Sequence, residues 1–159
     1  MHLPHRLDRT VVIQATPATV FSFFTESERW ASWWGAGSTV EPRTGGRVYI
    51  RHANGIESSG EVVDVEPPRR FVFTWGDDEL RFALEPAGNG GCTLHFTHLL
   101  DEREKAARDA AGWHVILAGL ARTLAGEAGA PDTGATPDWR EQYEEYQRRG
   151  LPAGAEIPT

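Results

Sequence analysis

The sequence predicts an α+β fold in which a long C-terminal helix lies across an antiparallel sheet and two short helices follow the first strand. Three features carry that prediction. Apolar residues alternate with period two between residues 40 and 97, they recur at spacings of three and four beyond Asp101, and Thr16-Pro17 opens a stretch of helical spacing near the start of the chain. The chain has 159 residues, 40% of them apolar, with six Trp and seven Phe, enough for one well-packed core and thin for two.

Residues 7–14 are rich in β-branched side chains and place Leu7, Val11 and Ile13 on one side together with Arg9, the pattern of a strand. Thr16 as N-cap and Pro17 at the first helical position then start a helix whose stripe is Val20, Phe21 and Phe24. A second short helix over residues 26–34 carries Trp30, Trp33 and Trp34 before Gly35 and Gly37 end it. Adjacent helical residues point about 100° apart, so one of Trp33 and Trp34 is expected at an edge of the core. Asn54-Gly55 turns a hairpin with arms at 47–52 and 57–66, and Pro67-Pro68 closes the second arm. Three further strands present Phe71, Phe73 and Trp75, then Leu80, Phe82 and Leu84, then Cys92, Leu94, Phe96 and His98 on one face. Trp113, Ile116, Leu117, Leu120 and Leu124 form the stripe of the long helix, which needs the inner face of the meander as its partner.

The domain occupies residues 1–126, followed by a Gly- and Ala-rich linker at 127–135 and a helical tail at 136–159. In that tail Thr136-Pro137 repeats the start signal, and Trp139, Tyr143 and Tyr146 share one helical face. So short a helix is marginal alone and is expected to dock, on its own domain or on a second copy in a homodimer.

Charge and motifs narrow the chemistry. Sixteen Lys and Arg face 23 Asp and Glu, a formal charge of -7 that works against wrapping a nucleic acid. No apolar run approaches the ~20 residues of a membrane span, and the first residues lack the apolar core of a secretory signal. Cys92 stands alone, ruling out an internal disulfide and fitting a reducing compartment, so a soluble cytoplasmic protein is expected. His95 and His98 fall on opposite faces of a strand and cannot chelate one ion together. His98 shares the inner face and, with His114, is the polar group available at a cavity. Asp77-Asp78-Glu79 reads as a solvated hairpin tip, Asp101 to Glu104 as the acidic first turn of the long helix, and His2 and His5 as part of a loose terminus. Gly45-Gly46 has no phosphate-loop lysine after it, and no catalytic, cofactor or metal motif is present.

The strings Ala15-Thr16-Pro17-Ala18-Thr19-Val20-Phe21, Trp30-Ala31-Ser32-Trp33-Trp34-Gly35 and Gly45-Gly46-Arg47 recur in an ordered pattern with residues 60–75, Leu94-His95-Phe96-Thr97-His98 and Gly112-Trp113. Over residues 7–125 this pattern resembles the START-like (SRPBCC) superfamily and, within it, single-domain proteins similar to the activator of Hsp90 ATPase homologue 1. The resemblance implies a helix-grip (START/Bet v 1-like) fold, a curved sheet gripping the long helix, with a cavity between them suited to an apolar or amphipathic small molecule. Residues on the inner face and the covering helix that would line it are Trp33, Phe73, Trp75, Phe82, Phe96, His98 and Trp113. The cavity is either open or filled by these same aromatics. Three functions follow from the resemblance: a non-enzymatic binder of such a ligand, an enzyme similar to polyketide cyclases and aromatases, and a regulator of an Hsp90-type chaperone.

Overall fold

A computed structural model describes residues 5–52, 55–126 and 137–155. Its elements are β1 (His5–Ile13), α1 (Pro17–Thr25), α2 (Ser27–Trp34), β2 (Thr39–Val40), β3 (Arg47–Arg51), β4 (Glu57–Glu66), β5 (Arg70–Trp75), β6 (Asp78–Pro86), β7 (Cys92–Leu100), α3 (Ala106–Leu124) and α4 (Pro137–Arg148). The strands make one seven-stranded antiparallel sheet in the order β1-β7-β6-β5-β4-β3-β2. Hairpin connections account for every neighbour except β1, which returns to pair with β7 and places Arg9 opposite Phe96.

Local signals act as read. The Thr16 side chain accepts the Thr19 N–H and Pro17 opens α1. Gly35, at φ 142°, ends α2 where a Cβ would lie 2.1 Å from the Arg51 carbonyl oxygen, and Gly60 lets β5 approach so closely that a Cβ would sit 1.7 Å from the Thr74 oxygen. The inner face of the sheet and the α3 face carrying Trp113, Leu117 and Leu120 enclose the core, in which Phe24, Phe73, Leu80 and Leu117 have no solvent exposure.

Four readings of the sequence are corrected. Trp33 and Trp34 are both buried, with ring centroids 4.3 Å apart. Trp33 packs on Phe24 and Phe82, and Trp34 on Trp75 and Trp113. A short helix held inside the sheet's concavity and covered by α3 is enclosed on two sides, so neither direction faces water. Asp78 is no solvated tip: it is the first residue of β6, shares the inner parity of Leu80, Phe82 and Leu84, and is 5% exposed. The acidic run after β7 precedes α3, which starts at Ala106 behind a 3₁₀ turn at Arg103–Lys105. His5 belongs to β1 rather than to a loose end, whereas His2 lies outside the described residues. Strand β2 is two residues long, too short for any alternation to announce it.

The tail docks on its own chain. Trp139 of α4 is 4% exposed, stacks on Tyr143 at 4.9 Å and lies over Gly112 of α3. Beyond α4 the Pro152 carbonyl accepts the Ala107 N–H, tying the tail to the start of α3. Residues 127–136, which hold the expected linker and Thr136, lie outside the described residues.

Candidate functional site

The seven residues singled out above separate into groups. Phe73 and Phe82 stack at 6.0 Å in the centre of the core, where Trp33 joins them and donates its indole N–H to the Phe23 carbonyl at 2.9 Å. Trp75, half-buried, reaches Trp113 at 6.0 Å. Phe96 and Trp113 meet at 4.5 Å and stand between this aromatic core and an open cavity. Interdigitated aromatics therefore fill most of the space under the helix.

His98 lies behind Trp113. Its Nδ1 accepts the Trp113 indole N–H at 2.8 Å, and its Nε2 is 2.7 Å from Asp78 Oδ2. An indole only donates, so the His98 proton resides on Nε2 and points at the carboxylate. Asp78 Oδ1 in turn accepts the Asp101 N–H at 2.9 Å, and Lys105 Nζ approaches it to 3.6 Å. Burial alone would push the Asp78 carboxyl up; the hydrogen bonds from His98 and Asp101 outweigh it and hold it at about 2. Both His98 nitrogens are engaged, so the ring has no free lone pair for general-base work and instead fixes the orientation of Trp113. His114, its expected polar companion, is not brought to it but faces Tyr146 of α4 at 6.4 Å.

The cavity, about 480 Å³, opens beside Trp113 between sheet, helix and tail. Its walls are Leu7 and Arg9 of β1, Phe96 and Leu100 of β7, and Ala110 and Trp113 of α3. Tyr146, Leu151 and Pro152 of the tail close it. Sequence reasoning anticipated Phe96 and Trp113 but not the β1 and tail contributions; the inward parity of Leu7 and Arg9 was the available signal. Among the described residues three buried polar atoms have no hydrogen-bond partner: Trp34 Nε1 in the aromatic core, and Arg9 Nε and His114 Nδ1, both in residues that contact Tyr146. Burial and the Arg9 charge push the His114 pKa down.

Other clusters are less suited to ligands. Asp78, His98 and Asp109 bring three potential metal-ligand atoms within 4.8 Å, yet Asp78 and His98 are bonded to each other and Arg108 donates to Asp109 at 2.7 Å. The candidate ligand atoms are thus already engaged, in a hydrogen bond between His98 and Asp78 and an ion pair between Arg108 and Asp109. Cys92 is buried and its thiol pKa is pushed up by burial, the opposite of an activated nucleophile. No helix among the described residues is long and apolar enough to cross a membrane.

Comparison with known proteins agrees with this architecture. The profile of a family described as activator of Hsp90 ATPase homolog 1-like protein matches residues 14–125. The chain superposes on the crystal structure of CalU16 from Micromonospora echinospora with TM-score 0.71 and 21% identity, over 90% of this chain and 86% of that one. It is similar to the Aha1 dimer from Colwellia psychrerythraea, with TM-score 0.67 and 21% identity over 76% and 96% of the two chains. It is also similar to DynU16, a protein in the dynemicin biosynthetic locus, with TM-score 0.69 and 25% identity over 80% of this chain and 50% of that one. No curated protein matches the chain.

Proposed function

The chain belongs to the activator of Hsp90 ATPase homolog 1-like family, and from that premise we propose that it binds a small apolar or amphipathic molecule in the cavity between β1, α3 and the tail. The observation that carries this reading is the cavity itself. About 480 Å³ lies within the usual range for small-molecule sites, and the cavity adjoins a core of interlocking rings. Phe96 and Trp113 supply its inner wall, and His98 acts through Trp113 by holding the indole in place. Trp33, Phe73, Trp75 and Phe82 support that wall from the core side.

Binding is favoured over catalysis because Asp78 and His98, the buried acid–base pair, bond to each other, to Trp113 and to the Asp101 backbone rather than to open space. The Colwellia relative is a dimer, whereas the ring stripe of α4 is covered here by α3. A single chain is therefore taken as the binding unit.

The test is titration with the neutral fluorescent probe N-phenyl-1-naphthylamine. Stoichiometric binding is expected to the native chain and not to Ala110→Trp, in which an indole fills the cavity. Equal binding to both would contradict the reading.

A further inference from the structure

We propose that the cavity selects an amphipathic carboxylate, its head group held by Arg9 and its apolar body lying along Leu7, Leu100, Ala110 and Trp113. The proposal rests on reading this cavity as a ligand site, and adds the chemistry of the ligand.

Arg9 occupies an inward position of β1 between Leu7 and Val11, opposite Phe96. A guanidinium placed among apolar side chains is costly unless it is paired. Among the described residues no carboxylate pairs with it: Asp8 goes to Arg6 at 2.7 Å, Asp109 to Arg108, and Glu145 to Arg148 and Arg149. Its hydrogen-bond partner is neutral, the Tyr146 hydroxyl, which accepts from Nη1 at 3.2 Å. Nε is buried and has no hydrogen-bond partner. With Nη1 directed at Tyr146, the edge formed by Nε and Nη2 is unused; it is the fork that grips a carboxylate through two parallel hydrogen bonds, and the covered Nε reaches one when the Arg9 side chain turns toward the cavity.

Electrostatics act in the same sense. Arg6, Arg9 and Arg103 line the cavity against Asp8 alone, a local excess of positive charge in a chain of net charge -7. Such a concave patch concentrates anions at its mouth. Apart from His5 and Tyr146 the remaining lining is apolar, so a bare inorganic anion would leave most of the cavity unfilled, whereas a chain or ring bearing one acid group satisfies both parts.

The experiment is displacement of N-phenyl-1-naphthylamine by dodecanoate and by dodecanol at about pH 8, where a carboxylic acid is ionised. A purely apolar cavity prefers the alcohol, because the acid must be desolvated. The native chain is expected to bind dodecanoate at least about tenfold more tightly than dodecanol, the scale of a hydrogen-bonded charge pair. In Arg9→Gln that ratio should fall to about one while dodecanol binding is kept. An alcohol that binds as well as or better than the acid in the native chain overturns the proposal, and so does a preference unaltered by Arg9→Gln. In both cases probe binding leaves the cavity reading standing. Failure of the probe to bind the native chain overturns both. The native-chain comparison needs no variant, so the proposal remains testable whatever the folding of Arg9→Gln.

Discussion

Asp78 and His98 show how one buried polar pair can serve an apolar site. The pair orients Trp113 through a single hydrogen bond, and removing either member strands the other. His98→Phe leaves a buried carboxylate without its imidazole and a buried indole without its acceptor, so it should cost about 3–5 kcal/mol in urea denaturation. A loss below about 1 kcal/mol would mean that the network carries little of the stability. Its pH signature is also fixed in sign. The Asp78 carboxyl titrates at about 2 in the fold against 3.8 ordinarily, so on acidification the unfolded chain takes up the proton first. The contribution of Asp78, roughly 2 kcal/mol, is therefore complete above about pH 4 and eroded as pH falls to about 2. Asp78→Asn should flatten this acid limb and lower stability at neutral pH; an acid limb identical to that of the native chain would show that other carboxylates produce it.

At the level of elements, most of the fold was legible because period two and period 3.6 write themselves into composition. Strands β3 to β7 and helices α1 to α4 follow apolar patterns that local sequence alone displays. What escaped reading depends on what covers a face rather than on the face itself. Turn-like composition concealed Asp78, although its parity with Leu80 and Phe82 placed it inside. A helical wheel gives the directions of Trp33 and Trp34 but not the sheet and α3 that enclose both. The tail is the element with most at stake. Its aromatic stripe predicted docking, and α4 meets that need on α3. Truncation after Gly126 removes Trp139 and Tyr146 and leaves the Ala107 N–H without the Pro152 carbonyl. It should lower the melting temperature with no change in the number of chains per particle by light scattering, and should weaken probe binding by opening the cavity. A mass that halves on truncation would place the docking between chains instead.

For the whole molecule, the cavity arises from contacts that no local pattern contains. Arg9 and Tyr146 meet across 137 residues, and the space they border exists only because a first strand, a covering helix and a tail converge. The aromatics on the inner face were recognisable as site candidates, but most are consumed in packing, which moved the open volume toward β1. The position of bound ligand is therefore the measurement that bears on the account most directly. In methyl-labelled chain titrated with dodecanoate, intermolecular nuclear Overhauser effects from the alkyl protons should reach the methyls of Leu7, Leu100 and Leu151, which line the cavity. Contacts confined to other methyls, such as those of Val48 and Ile50 on β3, or dodecanoate binding without any of these three, would contradict it.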